Sequence, residues 1–113
     1  MLSQKTIDIL EQHNIKLYDR TEDNGEFYRE VEFFSDSGED VYEVIWYDGT
    51  DDGFCKAFDK NADDFDPDDH AEMYVDRRGQ RGIPNSIRTL IDDADGIKET
   101  LLTVAKELLT KKD

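Results

Sequence analysis

The chain has 113 residues, of which 36% are hydrophobic and 38% charged, and its formal net charge is −15. This length suits one hydrophobic core, so we expect a single domain over residues 1–113. Twelve aromatic residues and regular apolar spacing argue against disorder, and no run approaches the roughly 20 apolar residues of a membrane span.

The negative charge lies in the middle of the chain. Residues 19–76 hold 21 acids and four bases, whereas residues 1–18 are neutral and residues 77–113 carry a small positive excess. Phosphate repulsion therefore opposes direct binding of nucleic acid or of an acidic membrane through this part. Cys55 is the only cysteine, which excludes an internal disulfide and favours a reducing, cytoplasmic location.

The first residues predict a short helix. Between residues 3 and 13, Ile7, Ile9 and Leu10 fall near one another, and Ser3 stands where an N-cap is expected. A serine hydroxyl at that position accepts a hydrogen bond from an otherwise unpaired backbone amide.

Three alternating segments then predict an antiparallel meander: residues 15–20, 26–34 and 40–47. The turn formers Asn24-Gly25 and Ser35–Gly38 separate them. In the third segment both sets of alternate residues are apolar. We therefore expect that segment to be the central strand, or one covered on both faces.

The apolar period changes to a helical one after Gly49. Phe54, Phe58, Ala62 and Phe65 recur at intervals of four, four and three, and Thr50 or Asp51 can cap the helix. Asp66-Pro67 predicts the start of a further helix, ending before Gly79, because aspartate caps well and proline fits the first turn.

Residues 86–109 predict a long amphipathic C-terminal helix. Its apolar residues recur at alternating steps of three and four: Ile87, Leu90, Ala94, Ile97, Leu101, Val104 and Leu108. A second set widens this stripe: Ile91, Leu102, Ala105 and Leu109. A broad stripe favours packing on the sheet, while a homodimer through residues 86–109 stays open. The elements together predict an α+β fold.

Motifs for catalysis or cofactor binding are not apparent. The sequence contains no nucleophile elbow, phosphate-binding glycine loop or dinucleotide fingerprint. Residues 48–59 partly match a calcium loop, with oxygen-bearing residues at positions 1, 3 and 5 and glycine at position 6. Asp59 stands where the bidentate glutamate belongs, so a capped helix start is the favoured interpretation and calcium binding stays open.

Two stretches, Asp63–Met73 and Gly82–Arg88, resemble small acidic accessory proteins of phages and conjugative elements. The resemblance implies an inhibitor of host defence, of the antirestriction or anti-CRISPR type, that imitates DNA and has no catalytic residues.

We therefore expect a non-enzymatic interaction protein, without cofactor or metal, that binds a basic, nucleic-acid-binding surface of another protein. The candidate partner-binding residues are the acids of the two middle helices: Asp51, Asp52, Asp59, Asp63, Asp64, Asp66, Asp68, Asp69, Glu72 and Asp76. The alternative is a structural or regulatory module that dimerises through its C-terminal helix and whose charge serves solubility only.

Overall fold

The computed structural model describes residues 2–21, 27–36, 38–78 and 87–111, with the backbone alone at residues 19–21, 73–78 and 87–90. The element order is α1 (Gln4–Gln12), β1 (Lys16–Thr21), β2 (Phe27–Phe34), β3 (Asp40–Tyr47), α2 (Asp51–Asp64), α3 (Pro67–Arg78) and α4 (Ile87–Thr110). This confirms the predicted α+β class and the order of its elements. The turn expected at Asn24-Gly25, residues 79–86, and the side chains of Ile87 and Leu90 lie outside the described residues.

The three strands form an antiparallel sheet in the order β1-β2-β3. Val31 of β2 stands opposite Leu17 of β1 and Glu43 of β3. The position expected for the third segment is therefore wrong: β2 is central and β3 is an edge strand. A meander places its middle strand in the centre, so the apolar outer residues of β3 have another explanation.

The inner face of the sheet supplies part of the core. Val31, Val41 and Ile45 are buried, together with Phe33, and α2 packs beside β3. The alternation expected for β2 is confirmed, since Val31 and Phe33 point inward together. Phe27, predicted on the same face, is 43% exposed at the end of the strand.

Polar side chains define where the helices begin. The Ser3 hydroxyl accepts from the Thr6 amide at the start of α1, and the Thr50 hydroxyl accepts from the Gly53 amide at the start of α2. Gly49 precedes this cap with φ +89°, a left-handed conformation that glycine adopts without strain. The structure thus selects Thr50 rather than Asp51 as the cap.

The apolar heptad residues predicted for α4 pack inside the molecule. Ala94, Ile97, Leu101, Val104 and Leu108 are buried. Their helix packs mainly on α2 and α3, with a smaller contact to α1. Except for Ala94, these residues share one core with Val31, Val41 and Ile45 of the inner sheet face, so the expected packing of α4 within the molecule is confirmed.

The stripe on α4 is also narrower than expected. Ala105 is buried, but Ile91, Leu102 and Leu109 are 37%, 41% and 48% exposed. Within the described residues, none of the helices has a stretch both long and apolar enough to cross a membrane.

Candidate functional site

Six exposed carboxylates lie where α2 ends and α3 begins, and we call them the acidic corner: Asp63, Asp64, Asp66, Asp68, Asp69 and Glu72. The corner forms because Phe65 leaves the helical conformation, with φ −63° and ψ 122°, so that α3 starts in a new direction. Six of the ten predicted partner-binding residues thus come together on one exposed part of the surface.

The backbone of the corner is held by two charged side chains. One Asp66 carboxylate oxygen accepts from the amides of Asp68 and Asp69 at 3.0 and 3.3 Å and so caps α3. The Lys98 ammonium donates to the carbonyls of Ala62, Asp63 and Phe65, each at 2.7 Å. A cation at these carbonyls satisfies the end of α2 and opposes the negative end of its dipole.

The other four predicted acids do not belong to the corner. Asp52 is exposed near the start of α2 and pairs with Lys56 at 3.0 Å, while Asp59 is half-buried in the middle of that helix. Asp76 lies on α3, and its side chain is outside the described residues. Asp51 has an internal role instead.

Asp51 joins the first residues of the chain to its last helix. Its Oδ1 accepts from the Ser3 amide at 2.9 Å and the Thr6 hydroxyl at 2.6 Å, and its Oδ2 is 2.9 Å from the Lys111 ammonium. Burial alone raises the pKa of a carboxyl, but these hydrogen bonds and the Lys111 charge outweigh it and lower the pKa of Asp51 to about 2. Asp51 is therefore a structural anchor.

A cleft of about 460 Å³ separates the acidic corner from β3. Five residues line the strand side of the cleft: Glu39, Asp40, Val41, Tyr42 and Glu43. Five others line the corner side: Asp64, Phe65, Asp66, Asp69 and His70. Six of these ten side chains are carboxylates and one is an imidazole, so the cleft is suited to a cationic side chain rather than to a metal ion.

The carboxylates of the cleft differ in environment. Glu39 lies 2.9 Å from the His70 imidazole, and both side chains are largely covered, at 14% and 25% exposure. Burial raises the pKa of Glu43, and the nearby His70 partly opposes that rise. Burial, followed by a hydrogen bond to Glu32, likewise raises the pKa of Asp40. Because burial disfavours the charged form of these carboxylates, a cationic side chain entering the cleft would offset that cost.

The outer face of β3 is apolar and uncovered. Tyr42, Val44 and Trp46 are 54%, 38% and 50% exposed. Trp46 stacks against Tyr28 of β2 with ring centroids 4.7 Å apart, and Phe34 nearby in sequence is 61% exposed. Tyr42, Val44 and Trp46 are one of the two apolar sets that the sequence shows in the third segment, and they form an exposed surface rather than a second core.

Glu32 lies on the same face but is only 6% exposed. The Tyr18 hydroxyl donates to it at 2.8 Å, and hydrogen bonds from Tyr42 and Tyr18 lower its pKa. Its charge therefore serves to fix the two tyrosines of this face.

The structure does not arrange residues 48–59 as a calcium loop. Asp48 accepts from the amide and hydroxyl of Thr50 at 2.9 and 2.6 Å. From Asp51 onward the chain is helical, which spreads Asp52 and Asp59 over about 10 Å, several times a calcium–oxygen bond. The described residues hold no group of three or more His, Cys, Asp or Glu suited to a metal ion.

Cys55 is buried beside Thr6, with 3.7 Å between sulfur and hydroxyl oxygen. Burial raises the pKa of the thiol, and the Asp51 charge adds to that rise. The thiolate is therefore disfavoured, with burial as the larger cause.

Sequence reasoning missed the strand side of the cleft, which comprises Glu39, Asp40 and Glu43. The only available signal was three acids at the start of an apolar segment, and nothing local places them opposite the corner.

No protein-family model, curated protein or solved structure matches this chain.

Proposed function

We propose that this protein is a non-enzymatic interaction protein whose acidic corner binds a basic, nucleic-acid-binding surface of another protein. The observation that supports this most is the collection of six exposed carboxylates where two helices meet. Between Asp51 and Glu72 the chain holds nine acids and two lysines. Charge that served solubility alone could be spread over the surface, where its mutual repulsion would be smaller.

The amount of negative charge suits a surface that normally holds nucleic acid. Duplex DNA carries one charge per about 1.7 Å of axis, so the 17 net charges of residues 19–76 equal those of roughly 29 Å of duplex. The molecule extends over 44 × 32 × 20 Å, so this charge lies on a body of the same order of size as that length of duplex. Together with the sequence resemblance, this supports a DNA-mimicking inhibitor of host defence as the class of protein.

Charge reversal at the corner tests the proposal. We expect the wild type to capture, from a host lysate, a nucleic-acid-binding protein that added duplex DNA displaces. Raising the salt from about 0.1 to 0.5 M should release it, because screening shortens the range of surface charges. The variant Asp63→Lys/Asp64→Lys/Asp68→Lys/Asp69→Lys should lose the capture.

A control variant makes the same change in net charge at exposed acids of α1 and α4. It is Asp8→Lys/Glu11→Lys/Asp92→Lys/Asp95→Lys. It should keep most of the captured protein. Equal loss in both variants, or capture that ignores salt and duplex DNA, would show that the corner is not the binding surface.

A second candidate is self-association through α4. Ile91, Leu102 and Leu109 are exposed and follow one another at eleven and seven residues, which places them on one side of the helix. Light scattering separates the two candidates, because this one requires a dimer in the absence of any partner.

A further inference from the structure

The edge strand β3 combines an open backbone with two chemically different sides. β2 is its neighbour in the sheet, and in the described part of the chain no other backbone group bonds to it. Unpaired amides and carbonyls along such an edge are able to pair with another extended chain.

The acidic cleft lies at this open edge. Val41 and Glu43 point to the inner side of the sheet and Tyr42 to the outer side, yet all three line the same cavity. Consecutive residues of a strand point to opposite faces, so one cavity reaches both only around an edge. One edge of β3 is paired with β2, so the cleft borders the opposite edge.

The two sides of the edge select different side chains. On the outer side an added strand would meet Tyr42, Val44 and Trp46. On the inner side, at the cleft, it would meet Glu43 with Asp64 and Asp69 of the corner. Since side chains of a strand alternate between faces, the matching segment alternates apolar and basic residues.

We propose that β3 accepts an extended basic segment of the partner as a fourth strand, with its apolar side chains over Tyr42, Val44 and Trp46 and its arginines or lysines in the cleft. This rests on the proposed function, since it specifies how the basic partner is recognised. Main-chain hydrogen bonds supply affinity, and the alternation supplies specificity.

Charge complementarity identifies a basic segment, rather than a second copy, as the occupant. Pairing two β3 edges would bring together two acidic clefts on molecules that each carry −15, and like charges across an interface oppose association. Acids along an edge strand also discourage such self-pairing.

Trp46 is the single tryptophan of the chain and reports on this face directly. We would titrate the protein with a capped eight-residue peptide alternating arginine and valine, which matches the length of β3. The peptide should change the Trp46 emission and bind at least about tenfold more tightly than a peptide of four arginines followed by four valines.

N-methylated peptides test the strand geometry. The amides of alternate residues face the same edge, so an added strand bonds to β3 through one alternate set only. Methylation of either the arginine or the valine amides should therefore abolish binding, while methylation of the other set leaves it unchanged. Equal affinity of both methylated forms would overturn strand addition.

Removal of charge from the cleft and two peptide controls also test strand addition at β3. The variant Glu43→Gln/Asp64→Asn should weaken binding about tenfold, and the matched Asp8→Asn/Glu11→Gln should not. Absence of peptide binding, equal binding of the block peptide, or equal binding of an alternating threonine–valine peptide would each overturn the proposal, as would self-association through β3.

Failure of this inference is distinguishable from failure of the proposed function. If the peptides fail but lysate capture still requires the corner and yields to duplex DNA, the proposed function stands without strand addition. If the alternating peptide binds but no captured protein is displaced by DNA, the docking edge stands and its partner is of another kind.

Discussion

Asp51 shows how one residue of an acidic sequence acquires a role that its neighbours lack. It is the first residue of α2, yet it accepts hydrogen bonds from Ser3 and Thr6 and pairs with Lys111. Thr6 is fully buried, so its hydroxyl depends on this carboxylate. A partner-paired carboxylate of low exposure contributes more to stability than exposed surface pairs do.

We expect Asp51→Asn to lower the free energy of unfolding by on the order of 2 kcal/mol at pH 7, from the lowered pKa of Asp51. Because the pKa of Asp51 is lower in the folded than in the unfolded chain, its charge stabilises the fold at any pH above the unfolded pKa of about 3.9. That stabilisation is lost as the pH falls from this value toward 2. The difference between variant and wild type should therefore shrink over that range in urea titrations.

The adjacent Asp52 provides the matched control. Its side chain is 78% exposed in the pair with Lys56, and exposed pairs contribute about 0–1 kcal/mol. Asp52→Asn should therefore change stability little at any pH. A constant difference for Asp51→Asn from pH 7 to pH 2 would contradict the role of its charge.

Among the elements, α2 depends on α4 to finish it. Lys98 of α4 donates to the carbonyls of Ala62, Asp63 and Phe65, which lie at the last turn of α2. This contact fixes the direction in which the chain leaves α2, and therefore the position of the acidic corner and of one wall of the cleft.

We expect Lys98→Met to lower the free energy of unfolding by about 1–3 kcal/mol, since hydrogen bonds to a charged group and a cation at a helix end are both lost. Thermal unfolding measures the change. Lys106→Met on the exposed side of α4 is the control and should be close to neutral. Equal effects of the two substitutions would refute the capping role.

At the scale of the whole molecule, the exposed apolar residues of β3 and of α4 form two separate surfaces, and only the first adjoins the acidic corner. The acidic corner and the open edge of β3 border one cleft, whereas the exposed residues of α4 form the separate stripe of Ile91, Leu102 and Leu109. The first region is the surface proposed for a basic partner, and the second is the surface of the alternative dimer.

We expect the protein to be monomeric in light scattering at micromolar concentration. A stable interface buries about 800 Å² on each partner, which three partly exposed side chains do not supply, and the charge of −15 opposes self-association. Leu102→Asp/Leu109→Asp should leave the mass unchanged. A dimer that this variant dissociates would instead support the second candidate.

That test uses Leu102 and Leu109 because their heptad neighbours serve the core. Leu101 and Val104 are 1% and 0% exposed, so aspartate at either position would bury a charge without a partner. Their heptad spacing is compatible with a coiled coil or an internal seam, and only the position of α2 and α3 decides between these.

Local chemistry in the sequence determined the elements of this protein. Ser3, Thr50 and Asp66 stand at three helix starts, and the alternation of β2 predicted which of its residues face the core. The acids around Asp66 likewise belong to the partner-binding set expected from the sequence. Caps, turns and apolar periods act over a few residues, which is why the sequence alone reveals them.

The tertiary structure decided which surfaces are open. It placed β3 at the edge, so that Tyr42, Val44 and Trp46 face outward, and it brought Glu43 opposite Asp64 to form the cleft. It also placed Asp51 against Ser3, Thr6 and Lys111 rather than in the acidic corner. These outcomes depend on contacts between residues far apart in the chain, about which local periodicity carries no information.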